Sequence, residues 1–163
     1  MTEREMVFQP GEIDGVSVRA LDRFADARGW LIELFREDGA DPPWRPAMAY
    51  VSQTLPGVAR GPHAHREQSD CFAMVGPGDF KVFLWDARPD SPTRGHKQVL
   101  LAGESKPLSV TVPPGVVHAY KNVSPVPGLV FNCPNQLYAG PGKLFPVDEI
   151  RYEQLAQSPF VVD

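Results

Sequence analysis

Three of the four histidines fall in two short segments, Arg60-Gly-Pro-His63-Ala-His65-Arg-Glu67-Gln-Ser-Asp70 and Pro113-Pro-Gly115-Val-Val-His118-Ala-Tyr-Lys-Asn122. On a strand, residues two apart face the same way, so His63 and His65 project together. A later strand brings in His118. Imidazoles on one face suit two kinds of chemistry. Neutral rings near pH 7 move protons. Alternatively, His63, His65, His118 and Asp70 (or Glu67) offer three nitrogens and a carboxylate to Fe, Mn, Ni or Zn. Two arginines, Arg28 and Arg60, are the natural partners of phosphate, which the guanidinium grips bidentately. A lone arginine is more often a surface ion pair, and the Pro113-Pro-Gly115 turn need only reverse the chain. Asn122 reads as structural.

Short strands must position these groups. The chain has 163 residues, with 14 Gly and 18 Pro scattered along it. Proline inside a helix costs about 3 kcal/mol, which leaves little room for long helices. Strand candidates are 16–21, 30–35 (after the turn Asp26-Ala-Arg-Gly29), 48–54, the run with His63 and His65, 71–75, 80–85, 97–101, 108–112, 118–122 and 129–132. About ten short strands with turn signals between them describe a sandwich or barrel. Residues 38–46 form a loop, and Asp148–Gln157 has room for one or two helical turns. The expectation is one all-β domain over 1–163, with its core at 16–138 and a tail, 139–163, packed outside.

Composition sets the class. The chain is 42% hydrophobic and 22% charged, with a formal net charge of −4 and a pI near 5.5. This balance argues against nucleic-acid and anionic-membrane partners. No apolar run approaches membrane-spanning length, and the opening residues lack a secretory pattern. Cys71 and Cys133 are far apart in sequence and fit a reducing cytoplasm, although a bridge between them stays open.

The two histidine segments resemble the signature segments of the cupin superfamily: a His-x-His run with a carboxylate a few residues on, then Pro-x-Gly-x-x-His-x-x-x-Asn. That resemblance implies a double-stranded β-helix, the jelly-roll barrel. Three further stretches narrow it. Asp26-Ala-Arg28-Gly-Trp-Leu-Ile-Glu33, Arg60-Gly-Pro-His63 and Asp86-Ala-Arg88-Pro-Asp-Ser91-Pro-Thr-Arg-Gly95 resemble, in order and spacing, segments of the dTDP-4-dehydrorhamnose 3,5-epimerase family. The resemblance implies an isomerase without metal. It would act on a nucleotide-diphospho-4-keto-6-deoxy sugar, dTDP-linked, in deoxysugar or polysaccharide biosynthesis, as a cytoplasmic homodimer.

It also implies roles. Arg28 and Arg60 would hold diphosphate and Glu33 would place the nucleotide. His63 would remove the proton beside the ketone, with His118 lining the site. The family's catalytic tyrosine is not matched: Asn132 stands near its place and would orient substrate, while Tyr138 is the nearest tyrosine able to act as acid. A family lysine is replaced in the region of Ser69, Asp70 and Cys71, and the C-terminal aspartate segment is unmatched. The Arg60-Gly-Pro-His63-Ala-His65 run also resembles the dTDP-sugar 3,4-ketoisomerases, which carry a tyrosine where Tyr50 lies. Their likeness implies that His65 is a second proton carrier and Tyr50 a substrate contact. A partner-exchanged N-terminal strand, before Val16, belongs to the same resemblance. Two rival readings remain: the metal-dependent cupin enzyme described above, and a nucleotide-sugar-binding protein that has lost catalysis.

Overall fold

The computed structural model describes residues 6–39 and 45–163. Among the described residues thirteen strands order themselves into two facing sheets and a hairpin. One sheet runs β1-β9-β8-β11-β6-β13, built from Gln9–Pro10, His96–Gly103, Asp79–Asp86, Val116–Asn122, Ala59–Ala64 and Ile150–Arg151. The other runs β2-β10-β7-β12-β5, built from Ser17–Ala20, Leu108–Val112, Asp70–Met74, Gly128–Asn132 and Tyr50–Thr54. The hairpin pairs β3 (Arg23–Asp26) with β4 (Gly29–Ile32) around the expected two-residue turn. The all-β jelly-roll expectation holds. Among the described residues no helix is long and apolar enough to cross a membrane.

The strand sequences show why the sheets stack. Phe80, Val82 and Leu84 of β8 point inward with Val116 and Tyr120 of β11, meeting Phe72, Met74, Val110 and Val130 of the facing sheet. The alternate residues Phe83, Trp85, Val117 and Ala119 point the other way, into a second cluster closed by Met6 and Phe160. The central strand β8 is therefore buried on both faces, which explains why it reads as a nearly continuous apolar run. Leu21, Ala73 and Val75, with Ile32, Leu34 and Phe131, cover the outer face of the second sheet.

Three expectations change here. Gln9–Pro10, ahead of Val16, completes an edge of its own sheet, with Gln9 paired in parallel with His96. The tail is not merely packed outside: β13 adds a strand beside β6, and Phe160 is buried against Trp85. Only a 3-10 turn, Tyr152–Gln154, forms where helical turns were expected. Of the loop 38–46, residues 40–44 lie outside the described part. Cys71 and Cys133 are both free thiols.

Candidate active site

The cleft opens between the two sheets and is roofed by the tail. It encloses about 1320 Å³, and its lining includes Tyr50, Arg60, His63, His65, Tyr138 and Arg151. A volume of that order admits a ligand larger than a typical drug-sized molecule.

Arg60 and His63 share this cleft through a local irregularity. Residues three apart on a regular strand face opposite ways. In the β11–β6 ladder, however, His118 pairs with His63 and Tyr120 with Arg60, so β6 spends one residue more than β11 over that interval. A β-bulge of this kind re-aims side chains. Gly61 makes it possible: its φ is +86°, and a Cβ there would sit 2.6 Å from the His118 carbonyl oxygen. Arg60 is pinned by its Nε donating to Thr54 Oγ1 at 3.0 Å and Nη2 to the Gln53 carbonyl at 2.7 Å.

The three imidazoles cluster, with ring centroids 4.4 Å apart for His63 and His118, and 5.8 and 5.7 Å for the other pairs. Asp70, buried at the start of β7, organises them. Its Oδ1 accepts from Gln68 Nε2 at 2.9 Å and Asn132 Nδ2 at 2.8 Å. Its Oδ2 lies 2.9 Å from His65 Nε2 and 3.2 Å from His118 Nε2. Those contacts set one carboxylate oxygen beside two ring nitrogens but are not aligned as hydrogen bonds, and Oδ2 and His118 Nε2 are buried without one. Burial would raise the Asp70 pKa, but the imidazoles outweigh it and hold the carboxyl well below the usual carboxylate range. His65 is the counterpart. Burial opposes its charge, yet Asp70 at one nitrogen and the Asp148 carbonyl at Nδ1 outweigh that and raise its pKa. His63 behaves oppositely: burial, then the fields of His118 and His65, push its pKa down to about 2. One neutral ring thus stands beside one ring that favours charge.

Several expected ligand-contacting residues lie elsewhere. His118 and Asn132 are buried behind the wall rather than lining it. His118 is packed against the His63 ring, and the Asn132 amide is consumed by Asp70, Tyr50 and the Cys71 N–H. Arg28 and Glu33 lie outside the cleft of their own chain. Arg28 is 90% exposed at the hairpin tip, paired with Asp26 at 2.6 Å, and Glu33 pairs with Arg36 at 3.4 Å. Tyr138 reaches the cleft but is 52% exposed, and among the described residues its hydroxyl takes no hydrogen bond. The Asp86–Gly95 stretch is scaffold: buried Asp86 accepts from Arg88, Ser91 and Thr93. Sequence reasoning missed Asp148, whose carboxylate accepts the N–H groups of Arg66, Glu67 and Gln68 at 2.9 Å each. Nor did it flag Arg151, an isolated basic residue in a mixed tail.

With the geometry in place, likeness to known proteins decides the family. The sequence model described as dTDP-4-dehydrorhamnose 3,5-epimerase matches residues 10–144. The chain belongs to this family. Its curated relatives include the probable low-salt glycan biosynthesis epimerase Agl13 of Haloferax volcanii, 36% identical over 126 residues, covering 77% of this chain and 81% of the relative. The spore coat polysaccharide biosynthesis protein SpsL of Bacillus subtilis is 36% identical over 115 residues, covering 71% and 75%. Among solved structures, a dTDP sugar isomerase from Desulfovibrio desulfuricans superposes with a TM-score of 0.77 at 24% identity over 91% of both chains. The 3'-monoepimerase ChmJ of Streptomyces bikiniensis, solved with dTDP-quinovose, gives 0.73 at 21% identity over 88% and 72%. These structures share the jelly-roll fold of this family member. The sugar-nucleotide epimerase class implied by the motifs is the class of its family.

Proposed function

We propose that this protein is an epimerase or isomerase of a nucleotide-diphospho-4-keto-6-deoxy sugar, dTDP-linked, and works by removing the proton beside the ketone. The observation that carries the reading is the pairing of Arg60 with an uncharged His63 on one face of the cleft. The Arg60 guanidinium suits diphosphate. His63 is held neutral first by burial and then by the fields of His118 and His65, and a bound diphosphate brings the opposite charge, which favours proton uptake. His65, with its raised pKa, stands where a developing enolate needs a positive partner. We assign the protein to the cytoplasm, acting without metal.

Arg28 and Glu33 enter through a second copy. They lie on or beside a hairpin that exposes Phe24 and Leu31, cross-strand partners on one face, and Trp30 on the other, apolar surface suited to pairing. A homodimer that lays this hairpin on the partner's cleft supplies both groups there.

The test is solvent-deuterium exchange into a dTDP-4-keto-6-deoxyhexose. Wild type incorporates deuterium beside the ketone and H63N does not. No exchange by wild type, despite dTDP binding, overturns the reading in favour of a non-catalytic binding protein.

One observation favours a second reading. The donor atoms of His63, His65, Asp70 and His118 all lie within 4.8 Å of one another, and two of them lack aligned hydrogen bonds. Three imidazoles and a carboxylate fit a divalent transition metal, which would polarise the ketone. Elemental analysis of protein purified without chelator separates the readings: stoichiometric metal, with activity lost on chelation, replaces the metal-free one.

A further inference from the structure

Removing a proton on one face of a sugar inverts the carbon only if a different group returns a proton on the other. Three tyrosines touch the cleft: Tyr50, Tyr120 and Tyr138. Tyr120 lies on β11, in the same sheet as His63, is 5% exposed, and shares its hydroxyl with Ser52 at 3.1 Å. Tyr138 sits on a loop, and among the described residues none hydrogen-bonds its hydroxyl. Tyr50 differs from both. It lies on β5 of the opposite sheet, is 44% exposed, and is the cross-strand partner of Asn132. Asn132 Nδ2 donates to its hydroxyl oxygen at 3.0 Å and to Asp70 Oδ1 at 2.8 Å, while Asn132 Oδ1 accepts the Cys71 N–H at 3.1 Å.

We infer that Tyr50 is the proton donor that faces His63 across the substrate, held for that task by the buried Asn132–Asp70 pair. The inference rests on the proposed epimerase reading. Because Asn132 donates to the phenol oxygen, the phenol hydrogen is left free to point into the cleft. The same N–H stabilises the phenolate as it forms. Burial, partly offset by the Asn132 bond, raises the Tyr50 pKa, so the group is protonated at neutral pH. The step balances. His63 takes the proton, and the C–H electron pair becomes the enolate. The enolate carbon then takes the Tyr50 proton on its other face. Solvent water reprotonates the phenolate, and His63 releases its proton to water. Asn132 is a positioning residue, since it acts through Tyr50.

The experiment follows two rates in deuterated buffer on the same dTDP-4-keto-6-deoxyhexose: deuterium entry beside the ketone, and appearance of epimer. Y50F is expected to keep deuterium entry within about threefold of wild type and to lose epimer formation by about 100-fold or more, the range of one acid–base group. Epimer formation lost in Y138F but kept in Y50F overturns the assignment in favour of Tyr138. N132S, which leaves Tyr50 in place but unsupported, is expected to slow epimer formation about tenfold more than deuterium entry; mere disruption of packing slows both together. Epimer formation by Y50F within threefold of wild type overturns the assignment. If Y50F does not fold, an equal fall of both rates in N132S overturns it. Absence of deuterium entry in wild type, by contrast, is the failure of the epimerase reading itself.

Discussion

Replacing Asp148 with alanine tests whether the tail is a working wall of the cleft. The carboxylate closes three backbone N–H bonds from consecutive residues 66–68, and its own carbonyl takes His65 Nδ1. Three converging amides make an anion nest. Charge-assisted bonds are worth about 1.5–3 kcal/mol each when buried, but Asp148 is only half-buried, so solvent screening leaves about 2 kcal/mol for the set. That is about 30-fold in the equilibrium between docked and open tail. In D148A, amide hydrogen exchange at 66–68 and 150–151 is expected to quicken by about that factor, while Val110 and Leu84 in the core do not change. The pH dependence follows from the same contacts. Burial would raise the Asp148 pKa, but the backbone bonds outweigh it and lower it. A carboxylate depressed on folding contributes fully above its unfolded pKa, about 3.9. The contribution disappears as pH falls through the folded value. After correction for intrinsic exchange, wild-type protection at these amides should drop in acid towards that of D148A. Exchange at 66–68 that is the same in both proteins at pH 7 refutes the reasoning.

Further predictions address the bulge, the scaffold and the phosphate contact. G61A forces a Cβ against the His118 carbonyl at a left-handed φ; it should cost about 2–4 kcal/mol in urea unfolding and abolish turnover. D86N removes the charge that Arg88, Ser91 and Thr93 surround. Because Asp86 is held below the usual carboxylate range, its stability deficit, about 2–4 kcal/mol at pH 7, should narrow as pH falls below about 4. R60A should weaken dTDP binding by about 10- to 100-fold in calorimetry and leave the melting temperature nearly unchanged.

Much of the barrel is legible because its signals are local. Pro113-Pro-Gly115 and Asp26–Gly29 announce their turns, and β8 carries its burial on both faces in its own run of apolar residues. The catalytic face is legible only in part. His63 and His65 read as neighbours, but the spacing of Arg60 and His63 implies opposite faces until the bulge is seen. Bulges leave no signature in residue type beyond a permissive glycine. Asp148 meets its partners across about 80 residues, and nothing in its neighbourhood marks it. Asn132 reads from sequence as a substrate contact because only its position, and not its neighbours, matches the family pattern. Its three hydrogen bonds place it one layer behind, with Tyr50 in front.

The hairpin that carries Arg28 away from its own cleft has a genetic corollary. If the partner's hairpin completes each site, R28A and H63N damage different halves of the same pair of sites. Each variant alone leaves no intact site. A mixture re-equilibrated from monomers forms half mixed dimers, and each of these holds one cleft with both His63 and Arg28 intact. Two crippled proteins should therefore regain about a quarter of wild-type turnover on mixing. Complementation of that size, measured after co-expression, reads the architecture of the dimer without a structure of it.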